Sequence, residues 1–224
     1  MIAQPPAPPL TEQAQQMEDL WNVFLIGAVA VGLLVAGLVV FVVVRGRRRS
    51  DLPLQQREHI PIELAYTAIP LLAVGALFAL TLVVLDDVDA ESAEDSVDLV
   101  VEVTGFQWQW QFRYPASGVV ETGTAEERPE LALPAGATVR FELASVDVIH
   151  SFWIPGFRFK RDLFPGAATT FQVDIGETTG AWPDTGVCAE FCGLDHTTMR
   201  FDVAVLAPAD FEQWLIGRGG EGAP

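Results

Sequence analysis

Leu20-Trp-Asn-Val-Phe-Leu-Ile-Gly-Ala-Val-Ala-Val-Gly-Leu-Leu-Val-Ala-Gly-Leu-Val-Val-Phe-Val-Val-Val44 is a run of 25 residues without a charge. A helix needs about 20 apolar residues to cross the hydrocarbon core of a bilayer. Leu64 to Leu85 is a second such run of 22 residues. Together they predict a transmembrane helical hairpin, with helices at about 20–44 and 64–85 and a connecting loop at 45–63. The first run is too long for the apolar region of a signal peptide. Only Glu12, Glu18 and Asp19 precede it, where a signal peptide would carry basic residues. Arg45, Arg47, Arg48, Arg49 and Arg57 make the loop basic, and short basic loops stay in the cytoplasm. Both termini are therefore expected on the periplasmic or extracellular side of a bacterial-type cell membrane.

Outward from the hairpin the composition changes. Residues 1–19 form a Pro-, Ala- and Gln-rich tail without apolar periodicity, expected to be extended and loose. Residues 86–98 form an acidic linker. From residue 99 to about 208 the pattern is that of short strands separated by Pro/Gly turns. Val97, Leu99, Val101 and Val103 alternate with polar residues, and further strands are predicted at 106–112, 137–143, 169–175 and 201–206. This is the pattern of an antiparallel sandwich or barrel. A short helix is expected at 209–216 within the C-terminal segment 209–224. Of the net charge of −17, about −16 lies from Asp86 onward, as 24 acidic against 8 basic residues. That surface excludes nucleic acid as a partner. It either keeps the domain soluble or favours encounter with a basic protein.

The chemistry concentrates in Cys188-Ala-Glu-Phe-Cys192-Gly-Leu-Asp-His196-Thr-Thr-Met199, with His150 upstream. These are both cysteines of the chain and two of its three histidines. Two thiolates, two imidazoles and a thioether favour copper, because a thioether is a poor ligand for zinc and a familiar weak ligand for copper. A mononuclear electron-transfer copper site uses one Cys, so the second Cys suits two coppers bridged by two thiolates. A Cys188–Cys192 disulfide and a Cys2His2 zinc site are the alternatives. Gly193 argues that the motif is a loop between strands rather than a helix. Asp147 and Asp195 stand next to the ligand segments as candidates to orient them.

Three stretches carry a family resemblance: Ser145-Val-Asp-Val-Ile-His150-Ser, Lys160-Arg-Asp162-Leu-Phe-Pro165-Gly166, and Cys188-x-Glu190-x-Cys192-Gly193-x-x-His196-x-x-Met199. The chain resembles subunit II of the haem–copper cytochrome c oxidases from Leu20 to about Leu206. The resemblance implies a cupredoxin-like Greek-key sandwich on a two-helix anchor. It implies a dinuclear copper A centre held by His150, Cys188, Cys192, His196 and Met199, with Glu190 contributing its backbone carbonyl. The Glu190 carboxylate is implied to reach a magnesium ion shared with subunit I. Gly105-Phe-Gln-Trp108-Gln-Trp110 is similar to the family's Gly-His-Gln-Trp-x-Trp, which makes Trp108 the point where electrons enter, although Phe106 replaces the usual His. Glu63-Leu-Ala-Tyr66-Thr67-Ala-Ile-Pro70 is similar to Glu-x-x-Trp-Thr-x-x-Pro, which places Glu63 at the mouth of a proton path; His59 reads as part of the solvated loop.

The implied function is electron transfer from cytochrome c, through copper, to a haem held only in subunit I. There oxygen is reduced to water with proton pumping, and subunit III is a further implied partner. Asp147, Asp184 and the Glu126–Glu127 pair are candidates for docking the donor. A quinol oxidase subunit would lack the copper ligands. A nitrous oxide reductase would add a propeller, and a copper carrier would need open ligands. A nitric oxide reductase subunit is not distinguished. No Cys-x-x-Cys-His occurs, so the donor is expected to be a separate protein, and no N-terminal cysteine offers a lipid anchor.

Overall fold

A computed structural model of the chain describes residues 8–47, 57–90, 96–124 and 127–219. Both charge-free runs are helical: α1 spans Glu12–Gly46 and α2 spans Ile60–Asp89, 35 and 30 residues long. Each exceeds its apolar run because the flanking polar residues are themselves good helix formers, such as Glu12, Gln13, Gln15 and Gln16. The 25-residue run alone extends about 38 Å at ~1.5 Å per residue, more than the ~30 Å hydrocarbon thickness. The apolar windows of both helices are unburied by the rest of the chain, as a surface facing lipid or partner subunits requires. Thr11 caps α1, its Oγ1 accepting the N–H of Ala14 at 3.0 Å. Arg48, Arg49 and the acidic residues Glu91, Glu94 and Asp95 lie outside the described residues.

Residues 8–16 and 88–219 build a unit separate from the hairpin. Its ten strands are β1 (Leu99–Phe106), β2 (Gln109–Tyr114), β3 (Val119–Thr122), β4 (Glu130–Pro134), β5 (Thr138–Ser145), β6 (His150–Trp153), β7 (Lys160–Leu163), β8 (Thr169–Asp174), β9 (Gly180–Cys188) and β10 (Arg200–Leu206). They form two five-stranded sheets, ordered β3-β2-β1-β5-β8 and β4-β10-β9-β6-β7. The sheets close over Trp110, Phe112, Phe141, Phe152, Phe157 and Phe201, all essentially buried. Phe152 and Phe201 stack across this core at 5.1 Å between centroids. Tyr114 locks one corner: its hydroxyl donates to the Ala132 carbonyl and accepts the Ala132 N–H. The closing helix α3 (Pro208–Gly219) buries Phe211 and lays Trp214 edge-on to Tyr114 at 5.3 Å.

Three expectations need correction. The sandwich is mixed rather than antiparallel throughout, because β1 pairs with β5 and β4 with β10 in parallel. Such pairs arise where long Greek-key connections return a strand beside an earlier one. Residues 106–112 are not one strand. The chain reverses at Gln107–Trp108, pairing Phe106 with Gln109. Trp110, Phe112 and Tyr114 line the core, while Trp108 sits at the hairpin tip, only partly buried.

The described part of the N-terminal tail is not loose. Leu10 is 1% exposed within the core of the β-domain. Its N–H donates to the Gly156 carbonyl, and its carbonyl accepts the Gly176 N–H, both at 2.9 Å. Gln13 exchanges two hydrogen bonds with Asp174, at 2.9 and 3.0 Å. A Cβ on Gly156 would lie 2.6 Å from Leu10, so glycine makes the seat. Loose composition did not reveal one leucine with a place to go.

Candidate metal centre

His150 opens β6 and is fully buried. Its strand places it opposite Leu163 of β7 and against Gly105 of β1, where a Cβ would come within 3.1 Å of the His150 ring. The other donors follow β9, whose last residue is Cys188, in a loop that ends at Met199 before β10. A single 3-10 turn, His196–Thr198, shapes that loop. Gly193 adopts φ +126°, a conformation that a side chain would strain.

The fold brings the two segments together. One donor atom each from His150, Cys188 and Cys192 lies within 4.8 Å of the others. The two Sγ atoms are 3.9 Å apart, and the cysteines are free rather than joined in a disulfide. His150 Nδ1 stands 3.9 Å from Cys188 Sγ, and His196 Nδ1 stands 3.5 Å from Cys192 Sγ. Met199 Sδ is 3.8 Å from Cys192 Sγ. The Glu190 carbonyl is 3.2 Å from Cys188 Sγ, while the residue itself is exposed. Both imidazoles thus turn Nδ1 toward sulfur. The donor set is soft, mostly buried and arranged about the sulfur pair, which fits copper.

Charge at the metal-free centre is uneven. Burial opposes ionisation of Cys188, but hydrogen bonding to His150 and to nearby main chain outweighs it and holds the thiol below its usual range. Burial and the Cys188 charge push Cys192 up to about 12. Burial disfavours His150 cation, yet its hydrogen bonds to Cys188 and Asp147 raise its pKa. Asp147 is lowered despite partial burial, by His150 and by the main-chain N–H groups of Gln107 and Val148. One proton is therefore easily lost from the sulfur pair and the second is held tightly.

Asp147 orients His150: its Oδ1 is 2.8 Å from His150 Nε2, and its Oδ2 accepts the Gln107 N–H at 2.7 Å. Asp195 has another position, its carbonyl closing the 3-10 turn by accepting from Thr198. The Trp108 indole N–H reaches the Cys192 carbonyl at 3.3 Å. Asp184 pairs with Arg128 at 3.8 Å and Arg200 at 3.3 Å, with its side chain about half exposed. Glu126 lies outside the described residues, and Glu127 is exposed. Glu63 belongs to the helical unit, where its carboxylate accepts the His59 N–H at 2.9 Å and caps α2. Sequence reasoning missed Gln107, whose amide donates to the Cys192 carbonyl at 2.6 Å. It also missed Gly105, which leaves room for His150.

The sequence and the fold have relatives. The family described as cytochrome C oxidase subunit II, periplasmic domain, matches residues 99–206. The probable cytochrome c oxidase subunit 2 of Nocardia farcinica is 34% identical, over 93% of this chain and 72% of its own length. The corresponding protein of Streptomyces coelicolor is 37% identical over 92% and 76%. The chain belongs to the cytochrome c oxidase subunit II family. Among solved structures, the periplasmic domain of subunit II of the Bradyrhizobium japonicum oxidase matches with a TM-score of 0.52 and 27% identity, covering 57% of this chain and 97% of that one. A related structure, of a subunit II domain in a mixed-disulfide intermediate with a thioredoxin-like protein, matches at 0.51 and 26%, covering 60% and 100%. The cupredoxin-like fold and the oxidase-subunit role follow. Subunit II family membership and the two apolar helices together make this a membrane-anchored component of a larger complex.

Proposed function

We propose that this subunit carries a dinuclear copper A centre, which takes single electrons from cytochrome c and passes them to haem in subunit I for oxygen reduction coupled to proton pumping. The observation that carries this reading is the convergence of two free thiols, two Nδ1 atoms, a thioether and a carbonyl in one mostly buried cluster. When bound, the copper pair supplies a one-electron carrier. The chain's own residues exclude substrate by surrounding the donors, keep both imidazoles turned inward, and hold His150 against Asp147. Trp108 lies between the Cys192 carbonyl and the surface, the place where electrons would arrive.

Copper requires both cysteines reduced, and two thiols facing an oxidising compartment form a disulfide readily. A thioredoxin-like dithiol is therefore a proposed assembly partner, supported by the mixed-disulfide relative. The exposed Glu190 side chain suits a magnesium ion completed by subunit I. Both termini are proposed outside. The basic loop supports this, as does the tail's place in the β-domain, which requires the two to share one side of the membrane.

Copper stoichiometry and electron paramagnetic resonance of the detergent-solubilised full chain test the central claim. Two coppers sharing one unpaired electron are expected; a single copper, zinc, or a metal-free disulfide refutes it. Glu63 is proposed at the mouth of a proton path. Glu63→Gln keeps an acceptor for the α2 cap but cannot carry a proton, so turnover of the assembled oxidase should fall while copper reduction stays normal. Unimpaired turnover would leave Glu63 as a cap alone.

A further inference from the structure

Gln107, in the β1–β2 turn, touches both segments that carry candidate donors. Its main-chain N–H donates to Asp147 Oδ2 at 2.7 Å, and the other oxygen of that carboxylate holds His150 Nε2 at 2.8 Å. Its side-chain amide donates to the Cys192 carbonyl at 2.6 Å, beside the Trp108 indole at 3.3 Å. The Cys192 carbonyl thus accepts two N–H groups from adjacent residues. Gly193, next in the chain, lets them approach: a Cβ there would fall 2.9 Å from the Gln107 amide nitrogen and 3.1 Å from the indole nitrogen. Its φ of +126° is also one that glycine adopts readily and other residues do not. Immobilising the carbonyl before it fixes the peptide plane of Cys192.

We propose that Gln107 is a positioning residue that clamps the Cys192 loop and the electron-accepting turn to the His150 segment. The proposal rests on the copper reading for its function, but its geometry does not. A polar side chain at a surface tip has a simpler use, contact with a protein partner. Two features favour the clamp instead. The side-chain amide points into the loop with a short bond, and the neighbouring N–H completes a path His150–Asp147–Gln107–Cys192. Groups behind metal ligands typically change affinity about 10–100-fold when lost.

Two substitutions in the full-length chain separate a donor from mere bulk. Gln107→Met keeps the length and removes the donor, whereas Gln107→Lys keeps an N–H donor with comparable reach. In the metal-free chain, hydrogen exchange of peptides covering 105–112 and 188–196 should quicken together in Gln107→Met and return toward wild type in Gln107→Lys. In the copper-loaded chain, release to excess chelator should be tenfold faster or more for Gln107→Met, with altered hyperfine splitting, and within about twofold of wild type for Gln107→Lys. Wild-type exchange and release in Gln107→Met would overturn the proposal, as would equal impairment in both variants. Failure of the wild-type chain to bind a copper pair would instead refute the copper reading, with the exchange experiment still deciding the clamp.

Discussion

The two segments that carry the candidate donors are held by different means. His150 is set by the sandwich itself: it begins β6, pairs with Leu163 of β7, has no exposure, and packs its ring against Gly105. Cys192, His196 and Met199 lie in a loop whose intervening residues face solvent, with Phe191 76% and Leu194 87% exposed. The backbone of that loop is placed by one 3-10 turn and a few hydrogen bonds to carbonyl groups, while Cys192 and Met199 turn into the core. The backbone of one segment is thus set by the sheet and that of the other by local contacts. Substitutions should divide accordingly.

The largest contrast is expected between His150→Ala and Met199→Leu. The first empties a fully buried position in the sheet, so both the copper spectrum and a share of folding stability should be lost. The second nearly conserves volume, a change that costs under about 1.5 kcal/mol in a core. It should keep the fold and bind copper with a shifted potential. Thermal unfolding together with potentiometry checks the pair, and an unchanged potential would remove Met199 from the donors.

A smaller effect comes from adding one methyl on each side. In Gly105→Ala the new Cβ meets His150 and Leu163 atoms at 3.1–3.2 Å, and a seat inside the sheet has little room to yield. The cost should be about 1–3 kcal/mol, as for other overpacked cores. In Gly193→Ala the new Cβ meets the Gln107 amide and the Trp108 ring at 2.9–3.2 Å, at a φ of +126° that a side chain strains. Melting should fall in both variants, and copper release should quicken in Gly193→Ala. Unchanged release there would mean that these contacts do not hold the Cys192 loop.

The gentlest test is pH. With Cys192 near 12 in the metal-free state, its proton is present at neutral pH and must leave when metal binds both thiols. Protonated His150, favoured by its raised pKa, competes as well. Lowering pH below neutral should therefore weaken copper loading, by about tenfold per unit for each proton released. Chelator competition at several pH values reads the slope; a flat profile would mean that the thiol is already ionised.

The candidate donors could be picked out because their chemistry is written in residue types at short spacing, and the two long helices because an uncharged run has few alternatives. What the sequence hid depended on contacts distant in the chain. The alternation Phe106-x-Trp108-x-Trp110-x-Phe112 continues through a turn that contains no Gly, Pro, Asn or Asp, so period two could not mark the reversal. Strand β9 contains Pro183, Asp184 and Gly186, which read as a turn. Gly186 is there because a Cβ would collide with the Phe201 ring across the sheet. Gln107 meets a residue 85 positions away, and only the folded sheet makes that meeting.

The seat of Leu10 has a consequence in time. The segment that fills it precedes Gly156, Asp174 and Gly176, which receive it, by about 150 residues. Between the two lie both membrane spans. Contacts so remote in sequence form late, because the chain closing them must first be ordered. The Leu10 seat can therefore be filled only once the chain has been made through Gly176, with both long apolar helices already synthesised between the two halves of the contact.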